Sequence, residues 1–325
     1  MKIIEPKTEL INISDPLIKI ELCGRTCYKS EDKITPDSAE KFVKNIIARG
    51  HESVLEHAWF IVQMIEPEYS YYKKIVNTLF DHGRSTLLKS TSDILCNRNI
   101  VSGNARMWRD FMRNMEMIIT PPPFLRIFEQ FPTLFGDVMP EFPASTRYNP
   151  AYAKFISESD LINVTEIKTH ASQTVRFTVD RGISHEIVRH RTASFSQEST
   201  RYCNYSKDKF GNEITVIKPC FWDEDSELYT IWKNSMFECE ESYFRLLGKG
   251  APPQEARSVL PNELKTEVVM TSNLAGWDNF FIQRTSPAAH PQMREVAIPL
   301  MHKIEESKKD LYEIAEIRLD GGLLE

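Results

Sequence analysis

Residues 189–202 of this 325-residue chain read Arg-His-Arg-Thr-Ala-Ser-Phe-Ser-Gln-Glu-Ser-Thr-Arg-Tyr, so three guanidiniums lie beside an imidazole and a run of hydroxyls. Arginine stays charged at physiological pH and binds phosphate or carboxylate through two parallel hydrogen bonds. Serine and threonine hydroxyls add short donors that complete the coordination of an oxyanion. A lone Arg-His-Arg would favour a solvated basic face. The ordered hydroxyls and the second Arg-Tyr pair instead predict a site for a phosphorylated ligand.

The local structure of this stretch can be predicted from the apolar residues that precede it. Apolar side chains recur at helical spacing over residues 183–188, which predicts a short amphipathic helix. Its last turn would hold Arg189 and His190. The Thr-Ala-Ser-Phe-Ser run over residues 192–196 has little helical drive, so we predict a loop there. A helix end followed by a hydroxyl-rich loop would make a cradle for an anionic ligand.

A second candidate segment, His-Glu-Ser-Val-Leu-Glu-His at residues 51–57, directly follows a predicted helix. Thr35 is expected to cap this helix, Pro36 suits its first turn and Gly50 ends it. The two histidines and Glu56 also suggest a zinc site, since His and Glu are common zinc ligands. The histidines are six residues apart, however, and not at the i, i+4 spacing of a zincin helix. We therefore predict no metal site.

A third candidate segment lies downstream, where Pro-Gln-Glu-Ala-Arg-Ser-Val-Leu-Pro at residues 253–261 precedes a strand-like run at Glu267–Met270. The polar candidates that follow are Asn273, Asn279 and Arg284. The aromatic residues between them are Trp277, Phe280 and Phe281. Aromatic side chains at helical spacing indicate core packing, so we predict that these three are buried.

These three segments resemble the flavin-dependent thymidylate synthases. The family signature is Arg-His-Arg-x-x-Ser-x-Asn-Glu-x-Ser-x-Arg, and the matching residues are Arg189, His190, Arg191, Ser194, Ser199 and Arg201. Residues 51–57 look like the family's His-Glu-(Ser/Thr)-x-x-Glu-His element. The order of an Arg before Val-Leu-Pro, an Asn after a strand and a later Arg is also similar to that of the family.

Two departures from the family pattern affect the expected site. Ser196 and Gln197 stand where the commonest form of the signature has Asn and Glu, so a carboxylate is missing there. Ala275 stands where the family usually has Arg, so one guanidinium near the flavin is absent. These departures leave one alternative interpretation, in which the chain is a homologue that acts on a different pyrimidine nucleotide or is catalytically inactive.

The resemblance implies reductive methylation of dUMP to dTMP, with methylenetetrahydrofolate as carbon donor, FAD as cofactor and NADPH as reductant. Arg284 would be the catalytic residue, because it would polarise the pyrimidine. The implied flavin-binding residues are His51, Ser53, Arg189, His190, Arg191, Gln197, Asn273 and Asn279. The implied nucleotide-binding residues are Glu186, Arg189, Gln197, Glu198, Ser199, Thr200, Arg201, Arg257 and Arg284. The resemblance also implies a homotetramer with sites shared between subunits.

A short internal echo bears on the missing guanidinium. Residues 100–111 and 270–280 both contain an apolar run followed by Asn-x-x-x-Trp-x-x-Phe, a pattern that predicts a strand, a capped turn and a helix. The first copy keeps Asn104-Ala-Arg106, the form that is lost at Ala275. Two interpretations remain open: Arg106 replaces the missing guanidinium, or Ala275 is tolerated and the echo is a repeated packing solution.

Strands and helices do not alternate strictly along the chain, so we predict an α+β fold with a mixed or antiparallel sheet and flanking helices. Residues 1–325 would form a single domain with an insertion at about 66–170, where the family pattern is interrupted and the aromatic content is too high for a disordered linker. The other predicted elements are strands at 56–64 and 174–180, an apolar-rich helix at 71–80, and helices at 226–247, 253–259 and 292–317.

Composition excludes several other classes of protein. A net charge of −6 and a pI of about 5.9 argue against broad binding to nucleic acid or anionic membranes, although a nucleic-acid module built on Arg-His-Arg remains an alternative. No apolar run approaches the roughly 20 residues of a membrane span. Six cysteines are scattered without a Cys-x-x-Cys pair, which is typical of reduced thiols. We therefore predict a cytoplasmic enzyme without membrane or nucleic-acid partners.

Overall fold

The computed structural model describes residues 1–65, 68, 70, 73, 99–115, 121–143, 153–201, 203–207 and 210–320. The helix predicted at 71–80 falls almost entirely outside these residues. The strands are β1 (Lys2–Ile4), β2 (Lys7–Ile11), β3 (Trp59–Met64), β4 (Ile100–Asn104), β5 (Ala153–Phe155), β6 (Ser172–Asp180), β7 (Ser194–Gln197), β8 (Thr215–Ile217) and β9 (Lys265–Asn273).

The α-helices are Pro16–Tyr28, Ser38–Ala48, Ala105–Met115, Pro132–Phe135, Val164–His170, Arg181–Ile187, Glu227–Gly248, Pro253–Ala256, Leu274–Arg284 and Pro291–Asp320. Among the described residues, the two longest 3₁₀ segments are Glu52–His57 and Pro123–Gln130. In the part of the chain that the structure describes, no helix combines the length and apolar character needed to cross a membrane.

The described strands form two antiparallel sheets and one parallel pair. The larger sheet has the order β2-β6-β9-β7, the smaller has the order β4-β3-β5, and β1 pairs with β8 in parallel. Helices pack around these sheets without alternating with the strands. The α+β class is thus confirmed, while the family fold and its insertion stay predictions.

The larger sheet carries the core on which the predicted site rests. Strand β6 is buried on both faces along most of its length, and Val175 and Phe177 on one face are fully buried. The aromatic residues of the Leu274–Arg284 helix cover this face: Trp277 stacks on Phe177 with ring centroids 6.3 Å apart, and Phe280 is fully buried beside it. The prediction that these aromatic residues form core is confirmed.

The smaller sheet forms a second core with the N-terminal helices. Phe60 of β3 packs among rings that lie in the predicted insertion, and Trp108 and Phe128 lie with centroids 4.9 Å apart. Val43 of the helix Ser38–Ala48 belongs to the same cluster of buried residues. Residues from the described ranges 99–115 and 121–143 therefore share one core with the N-terminal part of the chain.

Several predicted boundaries need correction. The helix predicted to be capped by Thr35 begins at Ser38 with Asp37 at its N-cap, and the Thr35 N–H donates to Ser38 Oγ at 2.9 Å. Gly50, with φ of +69°, does occupy the left-handed conformation that ends this helix. The next strand begins at Trp59 instead of residue 56, because Glu52–His57 forms a 3₁₀ segment.

The prediction around the Arg-His-Arg stretch was wrong in two places. The preceding helix ends at Ile187, so Arg189 and His190 follow it and do not form its last turn. The predicted loop at 192–196 overlaps β7 (Ser194–Gln197), whose residues pair with Thr271 through Val268 of β9. Ser194 and Ser196 face inward on this strand and are buried. An apolar alternation could not have revealed a strand whose inward side chains are hydroxyls.

The two echoing segments have the predicted structure. Strand β4 leads into the helix Ala105–Met115, and the Met107 N–H donates to Asn104 Oδ1 at 2.9 Å. Strand β9 leads into the helix Leu274–Arg284, and the Gly276 N–H donates to Asn273 Oδ1 at 2.9 Å. Both segments are therefore a strand, an Asn cap and a helix.

Candidate functional site

Arg284, the predicted catalytic residue, is the last residue of its helix and contacts two other predicted site residues. Its Nη1 lies 2.5 Å from Glu186 Oε2, its Nη2 donates to the Glu186 carbonyl at 2.8 Å, and its Nε donates to His190 Nε2 at 3.0 Å. The structure thus brings Arg284 to two residues that precede it by 94 and 98 positions in the sequence. The guanidinium is held in a fixed plane by these contacts.

His190 is a neutral acceptor in this cluster. The imidazole is buried, with its ring centroid 4.9 Å from that of Phe280. Burial, reinforced by the nearby charge of Arg284, lowers the pKa of His190 to about 4. At neutral pH the ring therefore adds no second positive charge, and Glu186 alone balances Arg284. Partly exposed, Arg284 remains able to bind a carbonyl or imide group of a ligand.

The predicted phosphate anchors lie at the end of β7. Arg257 Nη1 donates to Thr200 Oγ1 at 3.2 Å, so residues from the 3₁₀ turn Arg257–Val259 and from the hydroxyl run meet here. The Ser199 N–H donates to the Cys27 carbonyl at 3.1 Å, which fixes the turn on the first helix. The side chains of Arg201 and Arg257 are exposed. Two exposed guanidiniums beside hydroxyls suit a phosphate group.

Gln197 and Glu198 are held by internal contacts. Gln197 Nε2 donates to Ser184 Oγ at 2.8 Å and to Thr266 Oγ1 at 3.3 Å. The carboxylate of Glu198 is buried and accepts from Lys265 Nζ at 2.8 Å. Lys265 could not be recognised as a partner from the sequence, because the contact joins positions 67 residues apart and nothing in the local sequence indicates it.

Lys265 also belongs to a wider charge network. Its Nζ lies 2.9 Å from Glu267, which is 2.5 Å from Lys29 Nζ. Burial alone would raise the pKa of Glu267, but the two lysines outweigh it and lower that pKa to about 2. The network fixes the end of β7 to β9 and to the first helix.

His51, a predicted flavin ligand, lines an open recess of about 620 Å³. The cationic side chains around this recess are Arg25, Lys33, Lys41 and Arg49, with Asp37 as the acidic one. His51 Nδ1 lies 3.3 Å from the hydroxyl of Tyr28. Neither Arg25 nor Tyr28 was predicted, although both lie on one helix that precedes the motif. The recess has the charge to receive an anionic ligand.

Arg189 and Arg191 are exposed, and Arg191 lines a second recess of about 80 Å³ with Thr192 and Ser194. The 3₁₀ segment Glu52–His57 joins the two recesses, since His51 precedes it and Glu56 lines the second recess. Ser53 is exposed on this segment.

The two predicted asparagine ligands differ in their surroundings. Asn273 caps its helix through Oδ1, and its Nδ2 donates to the Thr169 carbonyl at 3.0 Å. Both ends of this side chain thus hold the backbone in place. Asn279 is exposed and accepts from Gln283 Nε2 at 3.0 Å. The flavin contacts of both residues stay predictions.

His57 has a structural position that the sequence did not reveal. It is fully buried, with Nδ1 2.8 Å from Thr271 Oγ1 and Nε2 2.9 Å from Ser196 Oγ. Burial, with a smaller contribution from Lys19, lowers its pKa to about 3. Among the described residues, no three His, Cys, Asp or Glu side chains are placed to share a metal ion.

Comparisons with known proteins point to one family. The family model described as "Thymidylate synthase complementing protein" matches residues 9–78 and 145–307. A flavin-dependent thymidylate synthase of Corynebacterium glutamicum is 31% identical over 176 residues, which cover 49% of this chain and 67% of that protein. The enzyme of that name from Pyrococcus furiosus is 34% identical, over 44% of this chain and 58% of its own length.

A third relative, the flavin-dependent thymidylate synthase of Corynebacterium efficiens, is 30% identical over 51% of this chain and 70% of its own length. The matched segments thus span 58–70% of the length of these three relatives. The family model covers the three predicted motifs, from the His51 segment to Arg284. The chain therefore belongs to the family of flavin-dependent thymidylate synthases.

Proposed function

We propose that the chain converts dUMP to dTMP by reductive methylation, with methylenetetrahydrofolate as carbon donor and NADPH as the source of reducing equivalents. The observation that carries this proposal is the fixed guanidinium of Arg284 between Glu186 and neutral His190. His190 of that cluster belongs to the Arg-His-Arg stretch, whose continuation provides the hydroxyls and guanidiniums of a phosphate site.

Arg284 polarises the pyrimidine in this proposal. The uracil ring is a poor nucleophile, so negative charge that develops on its carbonyl and imide must be stabilised. A guanidinium that is already oriented needs no reorganisation when that charge appears. Its contacts with Glu186 and His190 provide this orientation, and the neutral state of His190 leaves the charge on Arg284.

Thr200, Arg201 and Arg257 hold the nucleotide phosphate, and the Ser199 turn fixes their position. The Thr200–Arg257 hydrogen bond supports this assignment, because a phosphate oxygen is recognised by the same pairing of hydroxyl and guanidinium. In this proposal Glu198 does not contact the nucleotide directly. Its buried pairing with Lys265 positions the end of β7 beneath the nucleotide.

The donor set fits FAD, which when bound supplies the hydride that reduces the transferred carbon to a methyl group. Arg191 lies at the smaller recess and Arg189 is exposed beside it, so their charges suit the cofactor's phosphates. His51 and the cationic recess beside it suit a second part of the same extended anion. Homotetramer formation, with sites shared between subunits, belongs to the same proposal.

A cysteine nucleophile is not part of the proposed mechanism. Cys27 lies beside the end of β7, because its carbonyl accepts from the Ser199 N–H and its thiol contacts Ser196. Burial raises the pKa of the Cys27 thiol. Nucleophilic cysteines have a lowered pKa, so this environment favours an inert thiol.

The alternative, a homologue with another pyrimidine substrate or no activity, is motivated by Gln197 and Ala275. The names of the relatives do not favour it. A nucleic-acid module is disfavoured by the net charge of −6, and it would bind DNA with a steep dependence on salt.

Two measurements test the proposed function. Titration of the purified chain with FAD should give a saturable spectral change, and the loaded protein should form dTMP from dUMP. In Arg284→Lys the charge remains but the planar fork is lost, so we expect turnover to fall by roughly a hundred- to a thousandfold with a smaller change in dUMP affinity. Near wild-type turnover by this variant would remove Arg284 from the mechanism, and absence of flavin binding would contradict the whole proposal.

A further inference from the structure

The sequence echo is part of a larger structural repeat. The first unit consists of β3, β4 and the helix Ala105–Met115, and the second consists of β6, β9 and the helix Leu274–Arg284. In each unit an antiparallel strand pair leads through an Asn cap into a helix. The capping Asn is opposite the first residue of the partner strand in both units.

The same backbone contact closes both units. The Ala105 N–H donates to the Ala58 carbonyl at 2.8 Å, and the Leu274 N–H donates to the Ala171 carbonyl at 3.0 Å. In each case the donor follows the capping Asn and the acceptor directly precedes the partner strand. The two units thus share order, register and closing hydrogen bond, although their sequences match only in short stretches.

Hydrogen bonds between the units are reciprocal. His57, before the first unit, places Nδ1 2.8 Å from Thr271 Oγ1 of the second unit. His170, before the second unit, places Nδ1 2.8 Å from Ser102 Oγ of the first unit. Thr271 and Ser102 each lie two residues before the capping Asn. An exchange of this kind indicates an approximate two-fold relation between the units, so the echo is a structural repeat.

The first unit meets the Arg-His-Arg loop at the smaller recess. Asn104 and Arg106 line this recess of about 80 Å³ together with Arg191, Thr192 and Ser194. The volume is far below the roughly 300 Å³ of a pocket that encloses a whole drug-sized ligand. It suits one anionic group of a larger molecule.

The charges at this recess favour an anion. Among its lining residues are two guanidiniums, Arg106 and Arg191, and one carboxylate, Glu56. Arg106 Nη1 lies 2.7 Å from Glu56 Oε1, and its Nε lies 3.6 Å from Asp110 Oδ2. A guanidinium has five N–H donors, so these two contacts leave it able to bind a further acceptor. The Arg106 side chain is 36% exposed and accessible to a ligand.

We propose that Arg106 binds a phosphate group of the flavin cofactor together with Arg191. The first unit would thereby supply the guanidinium that the second unit lacks at Ala275. This inference rests on the proposed function and adds to it a cofactor-binding residue from the predicted insertion. The structural repeat explains how that residue comes to lie there, because the Asn-x-Arg turn is retained in the unit that faces Arg191.

The test is FAD titration of the full-length variant proteins, followed by flavin absorbance and fluorescence. Arg106→Ala should weaken FAD binding by about ten- to a hundredfold, the usual effect of losing a charge-assisted contact. Arg106→Lys should lose less, since it retains the charge without the fork. The melting temperature of the flavin-free protein should remain close to that of the wild type. FAD affinity of Arg106→Ala within twofold of wild type would overturn the inference.

Two control variants exclude indirect effects. Arg126 lies in the same predicted insertion, pairs with Glu129 at 3.2 Å and is outside the recess lining, so Arg126→Ala should bind FAD normally. Equal loss in both variants would indicate a general structural effect and overturn the inference. Arg106→Ala also leaves Glu56 without this partner. The double variant Glu56→Gln/Arg106→Ala should still bind weakly, and recovery to wild-type affinity would identify repulsion as the cause and refute the contact.

The outcomes also separate this inference from the function on which it rests. Saturable FAD binding by the unaltered chain with an unaffected Arg106→Ala variant overturns the inference alone. Absence of saturable binding by the unaltered chain overturns the proposed function and the inference with it.

Discussion

The buried imidazole of His57 should make the stability of this protein depend on pH in a way that one substitution removes. His57 is fully buried between two hydroxyls, and its pKa is lowered from 6.5 to about 3. Between these two values the unfolded chain binds a proton that the folded chain excludes. The free energy of unfolding therefore falls as pH decreases through this window, by about 1.4 kcal/mol per pH unit.

The variant His57→Gln isolates this contribution. A glutamine amide can retain only part of the pairing with Ser196 and Thr271, so at pH 7.5 the variant should be about 1–3 kcal/mol less stable than wild type. At pH 4.5 the wild type has lost about 2.7 kcal/mol through His57, two pH units below 6.5, and the variant has not. The stability difference should therefore shrink to near zero or change sign. Other titrating groups cancel, since both proteins contain them.

Urea unfolding followed by tryptophan fluorescence at pH 7.5, 5.5 and 4.5 measures this difference. His302→Gln is the matched control, because it removes an imidazole that is 67% exposed on the last helix. A wild-type-minus-His57→Gln difference that stays constant from pH 7.5 to 4.5 would refute the reasoning.

Two further predictions concern the nucleotide end of the site. Arg201→Ala should weaken dUMP binding by about ten- to a hundredfold while flavin affinity is unchanged, and isothermal titration with each ligand would detect an equal loss of both, which would contradict the division of the site. Lys265→Met leaves the buried Glu198 carboxylate without this partner and should cost about 3–5 kcal/mol in urea unfolding, whereas Lys265→Met/Glu198→Gln should recover much of that loss. A loss below about 1 kcal/mol in the single variant would show that the buried Glu198 does not depend on Lys265.

Features whose cause is local could be predicted from the sequence. Gly50 ends its helix because a left-handed residue is needed at that position, and both Asn caps were predicted from the strand–Asn–helix pattern. The burial of Trp277 and Phe280 follows from their helical spacing on an apolar face. In each case the side chain and the backbone feature that it determines lie within a few residues of each other.

Features that depend on distant partners could not be predicted in this way. Strand β7 is formed by pairing with β9, and its buried residues are serines, so the sequence shows no apolar alternation there. Lys265 neutralises Glu198 across 67 positions, and His57 joins Thr271 across 214. The motif resemblance identified Arg284, Glu186 and His190 as site residues. It did not indicate that both Glu186 and His190 hold Arg284 in place, because those contacts arise only in the tertiary structure.

The repeat also changes how the predicted insertion relates to the rest of the chain. Strand β3 belongs to the N-terminal part, yet both of its neighbours, β4 and β5, lie within residues 66–170. Removing that segment would unpair both edges of β3 and would remove the buried Ser102–His170 hydrogen bond as well. An appendage could be lost without such effects. The segment also carries Arg106, which lines the same recess as Arg191. The packing of the segment and its proposed contact with the cofactor therefore both follow from the structural repeat.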